Sequence, residues 1–518
     1  MDGLFVAALD VGTTTIRCHI LDETTSVVGT AVRQVELLYP EPGYVEIDPE
    51  TLWDAVLGVL KGALTDAGLS AAQLVALGIS SQRCTFITWD RETGQPFHNF
   101  ITWKDVRADS IVRQWNDSFS MKAMRFGARL LYTVSRSRRY LAASVLRLMN
   151  TQVTPRLLWA LERVPALRQA ASAGRALYGG VDSWLLWRLT AGAAHLTDHS
   201  AAAATGFFDP FIVQWSSLAE GYFGIPAAML PRVCEATADF GCTAPDILGA
   251  AVPIRCLIAD QAASTFGSCC FSRGDAKVTL GTGTFLNVNT GQTPHASVAG
   301  LYPLIGWKLD DEITYIVEGA SNDTGSLINW AQTVGWLKSP EESEQLATSV
   351  KDSGGVFFIP AFSGLQAPVN NPQATAGFLG VTPQTERAHI IRAILESLVF
   401  RVLQLYEALK EEANYTCTSI RIDGGVSQNT FVAQMLADLT GVKVERSTTA
   451  DTSALGAGFL AGLAAGVWKS KNDLCKLRKV RDVFEPRQEV RRRYENTLAR
   501  WRDAMERFLD WYPLPSNK

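Results

Sequence analysis

Short apolar runs broken by glycine–threonine turns recur along this chain and predict its organisation. Val6–Leu9 is apolar, Gly12 with Thr13, Thr14 and Thr15 makes a turn, and Ile16–Leu21 resumes an apolar-rich strand. Lys277–Gly291, KVTLGTGTFLNVNTG, repeats the grammar: apolar strand, Gly-Thr-Gly-Thr turn, apolar strand. A third variant, Ile420–Leu436, runs from the strand IRI through Asp423-Gly424-Gly425 into a helical pattern, VSQNTFVAQML. Further strands are predicted at Val27–Val32, Leu74–Ile79, Phe86–Trp89, Phe100–Trp103 and Ile254–Ala259. Apolar spacings of three and four mark helices. After Asp48-Pro49, a capping Asp and a first-turn Pro, residues Trp53, Val56, Leu57, Leu60 and Leu64 share one face. Asp182–Leu189 and Glu386–Leu409 read as helices, and so does Pro486–Tyr512, where Val490, Tyr494, Leu498, Trp501, Met505 and Phe508 align. Ala244–Pro253, with two prolines and a glycine, marks the predicted seam between two halves, the second opening on Ile254–Ala259.

The turns carry the candidate chemistry. Such a turn points successive backbone N–H groups into a nest that holds an anion, and the threonine hydroxyls add donors. Asp10 closes the first strand, where a carboxylate can hold Mg²⁺ through water. Arg17 can reach a phosphate from the next strand. One such hairpin is equally an ordinary hairpin, but two in one chain predict a duplicated fold with nucleotide between the halves. In the third variant, a helix N-terminus offers a further anion or nucleotide contact. Asp260-Gln261 follows the strand Ile254–Ala259, where a carboxylate is a candidate general base or, more plainly, a helix cap. Arg83 and Trp103 also stand at strand ends, where sites of α/β folds gather. A structural ion pair and core packing are the plainer readings of those two.

Composition narrows the class. A chain of 518 residues, 47% hydrophobic, is ample for two or three domains. Its 48 basic and 52 acidic residues leave a net charge of −4, so nucleic acid is not an expected partner. Nine cysteines without CxxC spacing and six histidines without HExxH suit a reduced, cytoplasmic enzyme without a structural metal. The apolar run at the start stops at Asp10, so no signal peptide is expected, and Ala454–Trp468 is too short to span a membrane. Its Gly456-x-Gly458-x-x-Ala461 spacing imitates a dinucleotide fingerprint, but no clear strand leads into it and a buried helix is the better reading. No GxxxxGK[ST] occurs, which excludes a P-loop enzyme.

Met121–Leu161 departs from the rest. Between Asp117 and Glu162 there are eight basic residues (Lys122, Arg125, Arg129, Arg136, Arg138, Arg139, Arg147, Arg156) and no acid, with helical patterning interrupted near Ser135–Arg139 and Asn150–Pro155. A solvated basic face is expected there, with an anionic membrane surface or an acidic partner as the alternative.

Taken together, these pieces resemble the FGGY carbohydrate kinases, and within them the glycerol kinases. LDVGTTTIR is similar to the family's first phosphate motif, GISSQRCTFITWDRETGQP to its substrate strand and hairpin, and GGVDSWLLWRLT to its domain-core helix. IADQAASTFG resembles the catalytic-base motif and LGTGTF the second phosphate hairpin; PAFSGLQAP, IIRAILESLVFR, DGGVSQNTFVAQ and LGAGFLAGLAAGVW continue the likeness. The resemblance implies two duplicated ribonuclease H-like domains of α/β class, as in the actin-like ATPases, at residues 1–253 and 254–485, closing on ATP and Mg²⁺, with a C-terminal helix and tail at 486–518. It implies Asp260 as general base and Arg83, Gln261, Phe285 and Trp103 lining the polyol site with it. Thr13, Thr14, Arg17, Thr282, Gly325, Asn329, Gly425 and Asn429 would contact nucleotide, and Asp10 would hold Mg²⁺ through water.

Three family features are absent. The family's Gln-Arg-Glu is here Gln82-Arg83-Cys84, its tyrosine has no match in Asn150–Pro155, and its GLGAPYWDP is GLQAPVNNP. Losing a charged acceptor typically weakens binding by about 1.5–3 kcal/mol. Glycerol phosphorylation by ATP is the first reading. A kinase of another small polyol or sugar and a low-activity nucleotide-binding regulatory protein stay open, as does the oligomeric state.

Overall fold

The computed structural model describes residues 3–413, 415 and 417–513. Its first glycine–threonine hairpin sits at the centre of a five-stranded sheet. Phe5–Val11 pairs antiparallel with Thr15–Leu21, and that strand antiparallel with Val27–Gln34. On its other side Phe5–Val11 runs parallel to Leu74–Ser81, which runs parallel to Ile254–Ala259. The period of two along Phe5–Val11 divides between two cores. Phe5, Ala7, Leu9 and Val11 meet Trp53, Val56 and Leu60 of the helix Pro49–Ala67. Val6 and Ala8 meet Ala454, Ala457 and Ala461 of the helix Thr452–Ala464. A strand covered on both faces reads as a nearly continuous apolar run, which is how this one is written. Asp48 caps Pro49–Ala67 as the sequence predicts, accepting from Thr51 N at 2.7 Å.

The second sheet repeats the path. Ala276–Leu280, Thr284–Gly291 and Glu312–Ser321 form an antiparallel meander, and Ser419–Asp423 then Lys443–Ser447 add in parallel beside Ala276–Leu280. Tyr302–Leu309 and Val480–Phe484 extend the two edges. Three antiparallel strands followed by two parallel ones, twice, is the duplicated ribonuclease H-like α/β fold.

The sequence opens the second half at Ile254, and the structure corrects this. Ile254–Ala259 is an edge strand of the first sheet, so a boundary at 253/254 would cut that sheet, and Ala244–Pro253 lies inside the first half. The passage between sheets falls between the helix Asp260–Gly267 and the strand Ala276–Leu280. The terminal helix, Gln488–Glu506, buries Trp501, Ala504 and Met505 in the core of the second half, and Trp501 Nε1 donates to Phe358 O at 2.9 Å. It completes that domain rather than standing apart from it. The basic stretch forms the helices Phe119–Ser135, Arg138–Ser144 and Val153–Arg163; the first break falls where the sequence predicts, and the second, 145–152, begins earlier than Asn150–Pro155 and ends with Pro155 already helical. One of its eight basic residues is not on the surface: Arg156 is fully buried and donates to the carbonyls of Cys84 (2.8 Å), Thr151 (2.9 Å) and Ile101 (3.2 Å).

Thr452–Ala464 belongs in sequence to the second half yet packs on the first sheet and against Asp260–Gly267. A Cβ on Gly456 would overlap the carbonyl of Ala263, one on Gly78 that of Ala457, and one on Gly267 that of Thr452. The Gly-x-Gly spacing is therefore a packing feature: Gly456 meets the backbone of the neighbouring helix, and Gly458 the side chains of Leu21 and Ala8 on the sheet. Gly456→Ala should destabilise the protein by about 1–3 kcal/mol, the usual penalty of overpacking. Gly127→Ala, in a helix with open space at the Cβ, should stabilise by about 0.5–1 kcal/mol. Urea unfolding of both variants checks the pair, and equal midpoints would contradict the helix contact.

Candidate active site

The first hairpin is fastened to the end of Leu74–Ser81. Gly12 N donates to Thr15 O at 2.9 Å, closing the turn. Gln82 Nε2 donates to Gly12 O at 3.1 Å, while Gln82 Oε1 accepts the hydroxyls of Thr85 (2.9 Å) and Thr13 (3.2 Å). Trp103 Nε1 donates to Thr13 Oγ1 at 2.8 Å, so this tryptophan braces the hairpin from the neighbouring loop. Asp10, at the end of the central strand, accepts from Ser80 Oγ at 2.9 Å.

The two parallel strands beside it deliver Arg83 and Asp260. Arg83 Nη2 donates to both carboxylate oxygens of Glu318, each at 2.8 Å, and Arg83 Nε lies 3.5 Å from Asp260 Oδ1. Glu318 comes from the second sheet, where Asn287 Nδ2 also donates to it at 2.8 Å. Asp260 is the first residue of its helix, its Oδ1 accepting Gln261 N at 2.7 Å, and 24% of its side chain stays exposed. Gln261 Oε1 accepts from Lys277 Nζ (2.9 Å) and Thr279 Oγ1 (3.2 Å). Lys277 is fully buried and its ammonium stands 3.6 Å from Asp423 Oδ1. Asp423 Oδ2 accepts from Ser264 Oγ at 2.6 Å and from Thr452 Oγ1. Asp423 Oδ1 has no hydrogen-bond partner.

The second hairpin meets a helix N-terminus. Gly325 N and Thr324 N donate to Gly281 O (2.9 Å) and Thr282 O (3.0 Å), which places Gly325–Thr333 directly behind the turn. Gly283 has no positive φ; its requirement is steric, since a Cβ would stand 3.0 Å from Ser321 O and 3.1 Å from Asn322 O. After Asp423 the helix does not begin at once. A 3₁₀ turn, Gly425–Gln428, intervenes, and Asn429 caps Thr430–Thr440 by accepting Val432 N at 3.1 Å.

Burial and neighbouring charge set the electrostatics. Burial pushes Asp10 up to about 6, with Asp260 and Asp423 adding and Arg17 opposing. Burial also raises Asp260, against the pull of Arg83. Burial opposes the Arg83 charge, but Glu318 and Asp260 outweigh it and hold the guanidinium above its ordinary value. Burial lowers Lys277, with Asp423 and Asp260 offsetting.

Of the residues singled out from the sequence, Arg83, Asp260 and Gln261 share the network that reaches Glu318, Lys277 and Asp423, Thr13 and Trp103 share the set around Gln82, and among the described residues Asp10 is bonded to Ser80 alone. Phe285 faces Thr279 and Ala320 across its strand neighbours. Thr14, Thr282, Asn329 and Gly425 are exposed. Asn429 is spent on its own helix and donates to Ser343 at 3.2 Å. Arg17 reaches across to an ion pair with Asp451. Lys277, Asp423, Asn287 and Glu318 were not assigned roles from sequence. Lys277 carried a signal, a lysine inside an apolar strand. Tyr302, directly across from Glu318 in the sheet, donates to Met149 Sδ at 2.8 Å, and burial raises its hydroxyl, with Glu318 and Cys84 nearby.

A duplicated fold with a glycine–threonine hairpin in each half defines the class, a phosphotransferase acting on an alcohol group. The chain belongs to the FGGY family of carbohydrate kinases, whose N-terminal domain matches residues 5–267 and whose C-terminal domain matches 276–465. Glycerol kinase 5 of Danio rerio is 47% identical, spanning 99% of this chain and 98% of its own. Glycerol kinase 5 of Homo sapiens is 44% identical over 98% and 96%. The crystal structure of Plasmodium falciparum glycerol kinase with ADP matches with a TM-score of 0.85 at 28% identity, over 98% of each chain.

Asp10 supplies a pH test. Its carboxyl protonates near 6 in the folded chain and near 3.8 when unfolded. Its folded charge is thus a penalty absent at low pH, growing as pH rises from about 4, and full above about 6. Asp10→Asn should stabilise the ligand-free protein by about 1–3 kcal/mol at pH 7.5 and by little at pH 4. Denaturant titrations at both pH values measure this, and an unchanged or lowered stability at pH 7.5 would remove the buried-charge assignment.

Proposed function

We propose that this protein transfers the γ-phosphoryl group of ATP to a terminal hydroxyl of glycerol, giving sn-glycerol 3-phosphate and ADP. The observation that carries the reading is Asp260, partly exposed at the junction of a parallel strand and its helix, 3.5 Å from Arg83, which is itself held by Glu318 of the second sheet. The division into domains we adopt is residues 1–267 and 276 onward, with Gln488–Glu506 part of the second.

In the first half the backbone of the hairpin at Gly12–Thr14 receives phosphate oxygens, and Arg17 adds charge by exchanging Asp451 for phosphate. In the second, exposed Thr282 supplies a phosphate contact, and Gly325 with Asn329, one turn into the helix Gly325–Thr333, continues the nucleotide side. Gly425, where a Cβ would meet nothing within 4 Å, and Asn429 lie on the base side of the nucleotide. Asp260 takes the hydroxyl proton as the substrate oxygen bonds to the γ-phosphorus and the bond to the bridging oxygen of ADP breaks. Phosphoryl transfer asks chiefly for positioning and charge neutralisation, and a proton acceptor of raised pKa suits the remaining step. Arg83, with Nη2 and Nε taken up by Glu318 and Asp260, turns its remaining edge to the substrate.

Mg²⁺ fits this site in one manner. Among the described residues no cluster of three His, Cys, Asp or Glu side chains forms a direct cage. Asp10, with the Asp423 carboxylate nearby, suits a cation held through water and phosphate instead. When bound, the ion neutralises charge on the transferring phosphate. Nine free cysteines support a cytoplasmic location.

Cys84 favours a second reading, a kinase of another small polyol. Its thiol is turned to Ala204 O at 3.1 Å, so it offers a substrate hydroxyl no carboxylate. A panel of polyols and sugars with ATP and Mg²⁺, scored for ADP and for the phosphorylated product, separates the two: glycerol should give the highest kcat/KM, and a different best substrate would overturn the first. Asp260→Asn should lower kcat by about 10²–10⁴-fold while ATP affinity, measured by calorimetry, stays within about twofold. Unimpaired turnover in this variant would remove the general-base role.

A further inference from the structure

The helix Phe119–Ser135 has apolar residues on two faces, and only one is covered. Met121 and Ala128 are buried against the body. On the other side Phe119 (86% exposed), Phe126 (65%), Leu130 (52%) and Val134 (87%) follow at spacings of seven, four and four, with exposed Ala123 between them, and form one stripe along the solvent side. Large apolar side chains standing singly on a surface mean little, but a contiguous stripe along four turns marks an interaction site.

The flank of that stripe is basic. Lys122, Arg129 and Arg136, seven residues apart, line one edge, and Arg138 and Arg147 follow in the next segment. None of these five has an acidic partner among the described residues, whereas Arg139 is paired with Asp209 and Arg156 is buried. No acid occurs between Asp117 and Glu162. The whole chain carries −4, which would repel an anionic surface, but screening limits interaction to about 8–10 Å, so the local patch governs. Among the described residues no helix is long and apolar enough to cross a membrane.

We propose that Phe119–Ser135 is a peripheral docking surface for an anionic lipid bilayer, with Phe119, Phe126, Leu130 and Val134 entering the headgroup boundary and Lys122, Arg129 and Arg136 meeting lipid phosphates. A convex helix presenting phenylalanine and leucine between basic residues has the composition of interfacial helices. Among the described residues none of these side chains hydrogen-bonds or ion-pairs with Asp10, Arg83, Asp260 or either hairpin, so docking and turnover are separable.

The test is co-sedimentation of the full chain with vesicles of phosphatidylcholine alone and of phosphatidylcholine mixed with phosphatidylserine. Wild type should partition at least about tenfold more into the anionic vesicles, and high salt should release it. Lys122→Glu with Arg129→Glu should reduce that partition by about tenfold or more, and Phe126→Ser with Leu130→Ser should reduce it comparably. Kinase activity toward soluble substrate, unchanged in both double variants, certifies their fold. Equal partition of wild type into both vesicle types, or an unaffected charge-reversal variant, would overturn the proposal. So would wild type left in the supernatant while chromatography shows self-association that Phe126→Ser with Leu130→Ser abolishes, which would make the stripe a protein interface.

Discussion

The close approach of two helix backbones, Asp260–Gly267 and Thr452–Ala464, is the constraint on which the rest of the molecule depends. Gly456 against Ala263 and Gly267 against Thr452 leave no room for a Cβ, and the same pair is pressed on the first sheet through Gly78 and Ala457. Because one helix grows out of the last strand of the first sheet and the other follows the parallel strands of the second, this contact fixes both sheets at once. The two helices run in opposite senses, so Thr452, at the start of one, stands beside the last turns of the other, and there Ser264 and Thr452 both reach Asp423. Packing at the glycines is thus what assembles the polar cluster.

That cluster is a set of buried charges that hold one another. Arg83 is shared between Glu318 and Asp260, and Lys277 between Gln261 and Asp423. A buried pair of this kind is weak evidence of stability, because desolvation offsets the attraction, yet removing one partner strands the other. The arrangement makes better sense as positioning. Each carboxylate that faces the cleft is flanked by a cation whose own place is set by the opposite sheet. Asp10 is the exception, having no such paired cation among the described residues, Arg17 being turned to Asp451, and burial holds its carboxyl up near 6 against the pull of Arg17.

Local pattern made much of this legible. The central strand, its hairpin, the capped helix after Asp48 and the terminal helix could all be read from periodicity, since each is decided by neighbours in sequence. The family resemblance supplied the roles, and the structure bonds Arg83, Asp260 and Gln261 in one set, Thr13 and Trp103 in a second, and Asp10 to Ser80. What escaped was decided by pairing across long separations. Ile254–Ala259 looks the same whether it opens a second sheet or closes a first, and only its parallel register with Leu74–Ser81 tells which. Glu318 sits in a strand with no motif to flag it, 235 residues from Arg83. Arg156 looked like one of eight surface charges, but its partners are carbonyls, which sequence does not display.

Cys84 shows how these long-range partners bear on substrate grip. Where the family resemblance leads one to expect a carboxylate beside Arg83, the chain has a thiol in a left-handed backbone conformation, φ 61°. That conformation is uncommon outside glycine and needs support. The support is visible: Arg156 donates to Cys84 O, and the thiol reaches Ala204 O. The residue is therefore fixed to the first half and turned away from the guanidinium next to it. Two carboxylates engage Arg83 instead: Asp260 of the first half, 3.5 Å from Nε, and Glu318, which arrives from the second sheet. Negative charge beside Arg83 is thereby retained, part of it from the other half. The charge set around Arg83 is complete only when the two sheets stand as the glycine contact sets them.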